Sequence, residues 1–284
     1  MSYKIILVHV DNSEHLDKRV EVAAKIALRE NAHLIGVAVT GISRFLHRPA
    51  PSGQDGGTMA PYKADYLETL RQRSNAALEK FETLVRGIGV TSYEKRLIDD
   101  EAAAAVSTLG LNVDLIVLGQ GGSADDPSLT AKVDFPEYIV LNSECPVLIV
   151  PYAGGASSNC EQVLIAWNAS LAASRAVKNA MPLLHLAQQV RLVIISPATS
   201  PDPQCEESGA EIIAYLARHN IEVDLVHRTV VEDAGHTLLA LAAELASDLI
   251  VMGCVAHQRW RALLPGGTTR VVLEEATIPV LMSH

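Results

Sequence analysis

Aromatic side chains are scarce in this sequence of 284 residues. They make up 4% of it, although hydrophobic residues as a whole make up 49%. A chain of this length with that share of apolar residues can bury two cores of ordinary domain size. We therefore expect an interior built mainly from valine, isoleucine, leucine and alanine.

Cysteine is also rare, and its spacing excludes two kinds of site. Cys145, Cys160, Cys205 and Cys254 are widely separated, with no Cys-x-x-Cys pair and no cysteine–histidine cluster at zinc-ligand spacing. The sequence therefore predicts neither a disulfide framework nor a metal site. Unpaired thiols are typical of a reducing compartment, so we expect a cytoplasmic location.

Positive charge and long apolar runs are lacking as well. The 23 lysines and arginines against 33 aspartates and glutamates give a formal net charge of −10 at pH 7. An acidic surface repels phosphate backbones, so nucleic acid is not an expected partner. No apolar run approaches the ~20 residues of a membrane-spanning helix. The first residues also lack the apolar segment of a signal peptide, and we expect no membrane association.

What the chain does have is an internal repeat. Val-Asp-Leu-Ile-Val-Leu-Gly at residues 113–119 returns as Ser-Asp-Leu-Ile-Val-Met-Gly at residues 247–253. Cys-Pro-Val-Leu-Ile-Val at residues 145–150 is echoed by Ile-Pro-Val-Leu-Met-Ser at residues 278–283. A repeat about half as long as the chain is a whole domain rather than a short module. We therefore predict two domains, residues 1–152 and residues 159–284.

Strand-like and helix-like segments alternate in both halves. The predicted strands are 5–10, 34–39, 91–97, 115–118 and 147–150, then 163–166, 190–195, 223–228, 249–252 and 280–283. The predicted helices include 63–86, 99–109, 135–142, 171–184, 205–219, 233–246 and 267–276. Continuous apolar strands alternating with helices indicate a parallel sheet covered on both faces. The predicted fold is α/β, with two doubly wound, Rossmann-like domains and a five-stranded parallel sheet in each.

The first half is longer than the second between its first and fourth strands. The extra residues are placed at 41–62, a segment rich in proline and glycine that fits neither a strand nor a helix. Such a composition predicts a loop insert.

Candidate binding residues follow two strands of the second half. In a doubly wound sheet, ligands bind at the carboxyl ends of the strands near the point where the strand order reverses. Asn168 follows the first strand, Gly253 ends the fourth, and Gly266-Gly267-Thr268-Thr269 opens a later helix. Glycines and hydroxyls at a helix amino terminus favour an anion site. Helix capping by the threonines is an alternative that the sequence leaves open.

The sequence resembles the universal stress protein family in its tandem, two-domain form. That family begins with a strand followed by aspartate, as in Val8-His9-Val10-Asp11 and, with asparagine, Ala166-Trp167-Asn168. Its Gly-x2-Gly-x9-Gly-[Ser/Thr] nucleotide loop corresponds to Gly253, Ala256, Gly266 and Gly267. The resemblance implies an adenine-nucleotide-binding fold and a role in stress response. It also implies that strands 147–150 and 280–283 pair with each other about a pseudo-two-fold axis.

The resemblance assigns roles to the second half. Asn168 would lie near the base and ribose of ATP, Gly253 would hold the turn after its strand, and the segment Gly266-Gly267-Thr268-Thr269 would cradle the phosphates. Loop residues His257, Arg259 and Arg261 would offset phosphate charge, or are merely exposed to solvent. A requirement for Mg²⁺ is left open.

The first half departs further from the family motif. Asp11, Gly119 and Gly122 remain, but no Gly-Ser or Gly-Thr follows them. Aspartates at 125, 126 and 134 put negative charge where phosphate would lie, which repels it. The first site is therefore predicted to be degenerate.

No catalytic residue is predicted, because the sequence lacks a nucleophile-elbow motif, a Walker-type lysine and an evident general base. The leading hypothesis is a stress protein that acts by nucleotide-dependent association and is not an enzyme. An interaction protein with two degenerate sites and a slow ATPase are the alternatives. Assembly into homo-oligomers is left open.

Ala256 stands where the family motif has its second glycine. If that position needs a left-handed backbone, alanine costs about 1 kcal/mol there. Ala256→Gly is then expected to strengthen ATP binding about fivefold. Calorimetric titration measures this, and unchanged or weaker binding would show that the loop accommodates alanine.

Overall fold

The computed structural model describes residues 2–42, 61–121, 135–153, 159–197, 203–230, 233–254 and 267–284. The first half contains β1 (Ile5–Val10), α1 (Leu16–Glu30), β2 (His33–Val39), α2 (Pro61–Ile88), β3 (Tyr93–Ile98), α3 (Ala102–Gly110), β4 (Leu115–Gly119), α4 (Phe135–Asn142) and β5 (Val147–Val150). The second half contains β6 (Gln162–Trp167), α5 (Leu171–Asn179), α6 (Met181–Leu184), β7 (Gln189–Pro197), α7 (Pro203–Arg218), β8 (Val223–Val230), α8 (Ala234–Glu244), β9 (Leu249–Gly253), α9 (Thr268–Glu275) and β10 (Val280–Ser283).

The ten strands form one continuous sheet in the order β3-β2-β1-β4-β5-β10-β9-β6-β7-β8. All strand pairs within each half are parallel, and the halves join through the antiparallel pair β5–β10, where Leu148 lies opposite Leu281. This confirms the doubly wound fold and the predicted pairing of residues 147–150 with 280–283. Each of these strands is buried, so the joint covers an edge that would otherwise be open to aggregation.

Helices cover both faces of the sheet. One apolar layer includes residues of α1, α2, α5, α6 and α7, and the other includes residues of α3, α4, α8 and α9. Neighbouring residues of a strand alternate between the layers, as Leu7 and Val8 do. The interior is mainly aliphatic, as expected. Phe81 is an exception, and its ring lies against Gly36, where a methyl group would be only 2.6 Å from the ring.

Three predicted boundaries were wrong. The predicted helix 171–184 is interrupted between α5 and α6, because Pro182 has no N–H and its ring cannot follow the preceding helical turn. The helix predicted from residue 99 begins at Ala102, since Glu101 is extended and acts as its N-cap. Helix α2 begins at Pro61, inside the predicted insert 41–62, and residues 43–60 lie outside the described residues.

Side chains also connect the two halves. The Tyr3 hydroxyl donates to the carbonyl of Asn179 at 2.6 Å, and Nε2 of Gln120 donates to the carbonyl of Ala276 at 3.4 Å. Burial raises the pKa of Tyr3 well above its usual value, so the phenol keeps the proton that this bond needs. In the described part of the chain, no helix has both the length and the apolarity to cross a membrane.

Candidate functional site

The sheet has two places where the strand order reverses, one in each half. β1 lies between β2 and β4, and β6 lies between β7 and β9. We call the carboxyl ends of β1 and β4, with Asp11 and Gly119, the first crevice. The second crevice comprises the carboxyl ends of β6 and β9 and the start of α9, with Asn168, Gly253 and residues 267–269. Such reversal points are where ligands bind in open parallel sheets.

The first crevice contains a buried ion pair. Nη2 of Arg19 lies 2.6 Å from Oδ1 of Asp11, and the Ser13 hydroxyl donates to the same oxygen at 2.7 Å. The Arg19 side chain is 2% exposed and that of Asp11 is 15% exposed. Nδ1 of His9 lies 3.8 Å from the other carboxylate oxygen, so three ionisable groups meet beneath the surface. His9 is itself buried.

This environment determines the charge of Asp11. Burial alone would raise the pKa of its carboxyl group, but the charges of Arg19 and His9 and the hydrogen bonds from Ser13 and Arg19 outweigh it. The pKa is held well below the usual range. Asp11 is therefore ionised at neutral pH and already paired with a cation of its own chain.

Arg19 also reaches the neighbouring strand end. A methyl group at Gly119 would collide with a terminal nitrogen of the Arg19 guanidinium. The guanidinium therefore lies between Asp11 and Gly119, at the two strand ends of the first crevice. Sequence reasoning missed Arg19, although its position on the buried face of α1, between Leu16 and Val20, was a detectable signal.

The second crevice has no such ion pair among its described residues. Oδ1 of Asn168 accepts from the backbone N–H of Ser170 at 3.2 Å, just as Oδ1 of Asp11 accepts from Ser13 at 3.1 Å. This hydrogen bond recurs in both halves, but the turns differ, since Ala169 has a left-handed backbone and α5 begins three residues after Asn168, whereas α1 begins five residues after Asp11. Asn168 is exposed, however, and eight residues later stands Ala176, where Arg19 stands eight residues after Asp11. The asparagine amide is therefore not covered by a guanidinium.

Gly253 has a packing role. A methyl group at this position would lie 2.6 Å from the backbone carbon of Ala172 and closer still to the backbone nitrogen of Ala173. Gly253 belongs to β9, and among the described glycines only Gly41 and Gly89 have positive φ. Its missing side chain lets the backbone of α5 approach the strand, so the structure gives this glycine a packing reason that the sequence did not indicate.

Helix α9 begins at the second crevice. Its N-cap is Gly267, which makes no side-chain capping bond and has open space where a methyl group would lie. Thr268 and Thr269 are the first helical residues, so they do not cap the helix. The first N–H groups of a helix have no intrahelical partner, so the start of α9 favours an anion.

The two threonines differ in their surroundings. The Thr269 hydroxyl hydrogen-bonds the sulfur of Cys254, whereas Thr268 is half-buried at the helix start. Burial raises the pKa of Cys254 to about 11, so this thiol is protonated and unreactive at neutral pH. None of the four cysteines forms a disulfide. Thr268 is therefore the hydroxyl better placed to meet a ligand.

Several predicted residues lie outside the described residues. They are Gly122 in the first half and Ala256, His257, Arg259, Arg261 and Gly266 in the second. The structure brings together Asn168 and Gly253, since Ala166 and Met252 pair just before them on adjacent strands. It also places Thr269 against Cys254, which follows Gly253. No group of three or more metal-ligating side chains occurs within the described ranges.

Trp167 ends β6 beside Asn168. Its side chain is buried at 6% exposure, as expected for ordinary packing. It borders a cavity of about 350 Å³ between α5 and α7, which Ser170 and Tyr215 also line. The indole N–H has no hydrogen-bond partner within the described part of the chain.

Comparisons with known proteins agree with this architecture. The model of the universal stress protein family matches residues 2–151 and again residues 159–284. A universal stress protein of Synechocystis is 27% identical over 170 residues, which are 59% of this chain and 57% of that protein. A relative from Staphylococcus haemolyticus is 27% identical over 53% of this chain and 86% of its own length.

The fold also recurs over the full length of a solved structure. A universal stress protein from Archaeoglobus fulgidus superimposes with a TM-score of 0.72, covering 98% of this chain and 97% of that one, at 17% identity. The double match of the family model therefore identifies this chain as a tandem member of the universal stress protein family.

Proposed function

We propose that this protein binds an adenine nucleotide such as ATP in its second crevice, and that it acts in stress response through nucleotide-dependent association. The observation that carries the proposal is the difference between the crevices. Asp11 is locked by Arg19, whereas its counterpart Asn168 is exposed and carries no charge. We therefore assign the ligand to the second crevice, whose described strand ends carry no such ion pair.

The start of α9 suits the phosphates of such a ligand. Its free N–H groups and the positive end of its dipole favour negative charge. Gly267 puts no side chain in the way, and Thr268 adds a hydroxyl donor. Asn168, being neutral, does not repel phosphate, and its amide can both donate to and accept from a ribose or base.

The first crevice is degenerate for a reason of its own. The guanidinium of Arg19 already occupies the space between Asp11 and Gly119. A nucleotide there would have to displace a buried ion pair, which leaves an uncompensated charge. We therefore expect one nucleotide per chain. The two domains are assigned to residues 1–152 and 159–284.

The site supports binding better than catalysis. The Cys254 thiol is protonated, and the Thr269 hydroxyl hydrogen-bonds the sulfur of Cys254. We therefore propose a cytoplasmic binding protein that is not an enzyme.

One observation favours an interaction protein as the second candidate. Gly253 is fully explained by the approach of α5, and so it is not by itself a sign of ligand binding. On this alternative both crevices are inert, and the chain acts only through protein contacts.

Calorimetric titration of the full chain with ATP, with and without Mg²⁺, tests the proposal. We expect one site per chain, and Thr268→Val is expected to weaken binding about tenfold or more, because a hydrogen bond to a charged group contributes about 1.5–3 kcal/mol. Ser13→Ala is the matched control, since it removes a hydroxyl from the first crevice and should leave affinity unchanged. The full chain is used because separated halves would expose β5 and β10.

The outcomes separate the two candidates. Two bound nucleotides per chain would contradict the placement in the second crevice. So would binding that is weakened by Ser13→Ala but unchanged by Thr268→Val. A folded wild type that binds no ATP at millimolar concentration would instead support the interaction protein.

A further inference from the structure

The sheet ends at two edge strands, β3 and β8. Each pairs with a single neighbour, β2 or β7, and no other strand in the described ranges lies against its outer side. The outer backbone N–H and C=O groups of an edge strand are a template for pairing with another chain. The two edges are equivalent positions of the repeat, so their differences in sequence are informative.

β8 is the longer and more exposed edge. It has eight residues, and Asp224, Leu225, His227 and Thr229 are exposed. The Leu225 side chain is 42% exposed, which is unusual for a large apolar residue at the middle of an edge strand. Nothing in this strand resembles the lysine or proline that commonly blocks edge pairing.

The charges of β8 are self-complementary. If two β8 strands pair antiparallel about Val226, then Asp224 of each molecule lies opposite Arg228 of the other. Directly opposite residues of antiparallel strands share a face, so two ion pairs would flank the central valines. Leu225 would lie opposite His227 on the other face. Arg228 pairs with Glu244 at 2.6 Å and Asp224 accepts from Gln189 at 3.0 Å, so the dimer would exchange or share these surface contacts, and the 39% exposure of the Arg228 side chain leaves it within reach of a second molecule.

β3 is protected against the same pairing. Its middle residues are Lys95 and Arg96. Neighbouring residues point to opposite faces, so a two-fold pairing is centred on one residue, and centring it on Lys95 or on Arg96 places two like charges opposite each other. Lys95 is further held by Glu79 and Glu82 of α2. Like charges directly opposite each other are destabilising, so this edge resists self-pairing.

We propose that β8 is the docking surface for a second copy of this chain, which pairs with it antiparallel about Val226. The chain already uses such an antiparallel joint internally, between the four-residue strands β5 and β10. A two-fold pairing is closed, so it produces a dimer rather than a filament. Strand pairing alone covers less than the roughly 1,200 Å² of a stable interface, so the dimer forms at micromolar or higher concentration.

Sedimentation equilibrium of the full chain from about 1 to 300 μM tests this interface. The mass is expected to rise from 30.4 kDa towards twice that value. Arg228→Asp places two aspartates opposite each other and is expected to weaken dimerisation at least tenfold. The charge swap Asp224→Arg with Arg228→Asp restores opposite charges in this register and should restore the dimer.

Arg96→Asp is the matched control, because it makes the same change on the equivalent strand of the first half. This variant should dimerise to the same extent as the wild type. Circular dichroism checks that each variant is folded. A wild type that stays at 30.4 kDa up to 300 μM would overturn the proposal. So would a dimer that survives Arg228→Asp, a swap that does not restore it, or assembly beyond the dimer.

Discussion

Replacing Gly253 with alanine is expected to lower the free energy of unfolding by about 3 kcal/mol, at the upper end of the usual cost of overpacking. The added methyl group would meet the backbone of Ala172 and Ala173, and a helix backbone cannot rotate away as a side chain can. Either β9 or the start of α5 must shift, and both border the second crevice. Chemical denaturation followed by circular dichroism measures the loss.

Gly119→Ala is the matched control, because Gly119 ends the equivalent strand of the first half. Its new methyl group meets the tip of the Arg19 side chain, and the next nearest atoms are 3.6 Å away. A side-chain tip can move, so the loss should be smaller than for Gly253→Ala. Equal stability of the two variants would show that the contact with α5 does not require glycine.

Replacing Arg19 with methionine is expected to destabilise the protein by about 3–5 kcal/mol at pH 7, the usual cost of removing one partner of a buried ion pair. Asp11 would keep its negative charge in a site that is 15% exposed, without the guanidinium that compensates for it. Arg96→Met is the control, since Arg96 pairs with Glu94 at the surface and should cost less than about 1 kcal/mol.

The double variant Asp11→Asn with Arg19→Met separates charge from packing. It removes both charges and should recover most of the loss, because no unpaired ion remains. If the double variant is as unstable as Arg19→Met, then the cost comes from packing of the arginine side chain.

The pH dependence of Arg19→Met follows from the pKa of Asp11. In the wild type this pKa is depressed below the value of about 3.9 of an unfolded chain. The stabilisation is therefore complete above about pH 4 and is lost as the pH falls further. In Arg19→Met the pKa of Asp11 would be higher than in the wild type, because only His9 and Ser13 would then oppose the effect of burial. Protonation would relieve the variant at a higher pH than the wild type, so the stability difference should narrow as the pH falls from 7, as denaturation over a pH series would show.

The sequence predicted the architecture well because the signals for it are local or repeated. The apolar runs predicted β1, β5 and β10 with the same bounds as in the structure. The resemblance to the universal stress protein family implied that strands 147–150 and 280–283 join the halves. Proline was the local signal that was underweighted, since Pro182 splits a helix whose apolar spacing is otherwise continuous.

The candidate site could be predicted only in part from the sequence. Asn168, Gly253 and Thr268 were found, because they follow strands or open a helix. Their roles depended on contacts that the sequence does not carry. Gly253 of β9 is required by the close approach of α5, about 80 residues earlier in the chain. The Thr269 hydroxyl, but not that of Thr268, hydrogen-bonds the buried thiol of Cys254.

The sequence by itself determined two α/β halves, their aliphatic interior and their common ancestry with universal stress proteins, because hydrophobic periodicity and repeated motifs are read along the chain. Only the tertiary structure showed how the two crevices differ. A single arginine on the buried face of α1 reaches across to Asp11 and Gly119. The physical reason is that the energy of a buried charge depends on what lies within a few ångströms of it, and the fold alone brings those groups together.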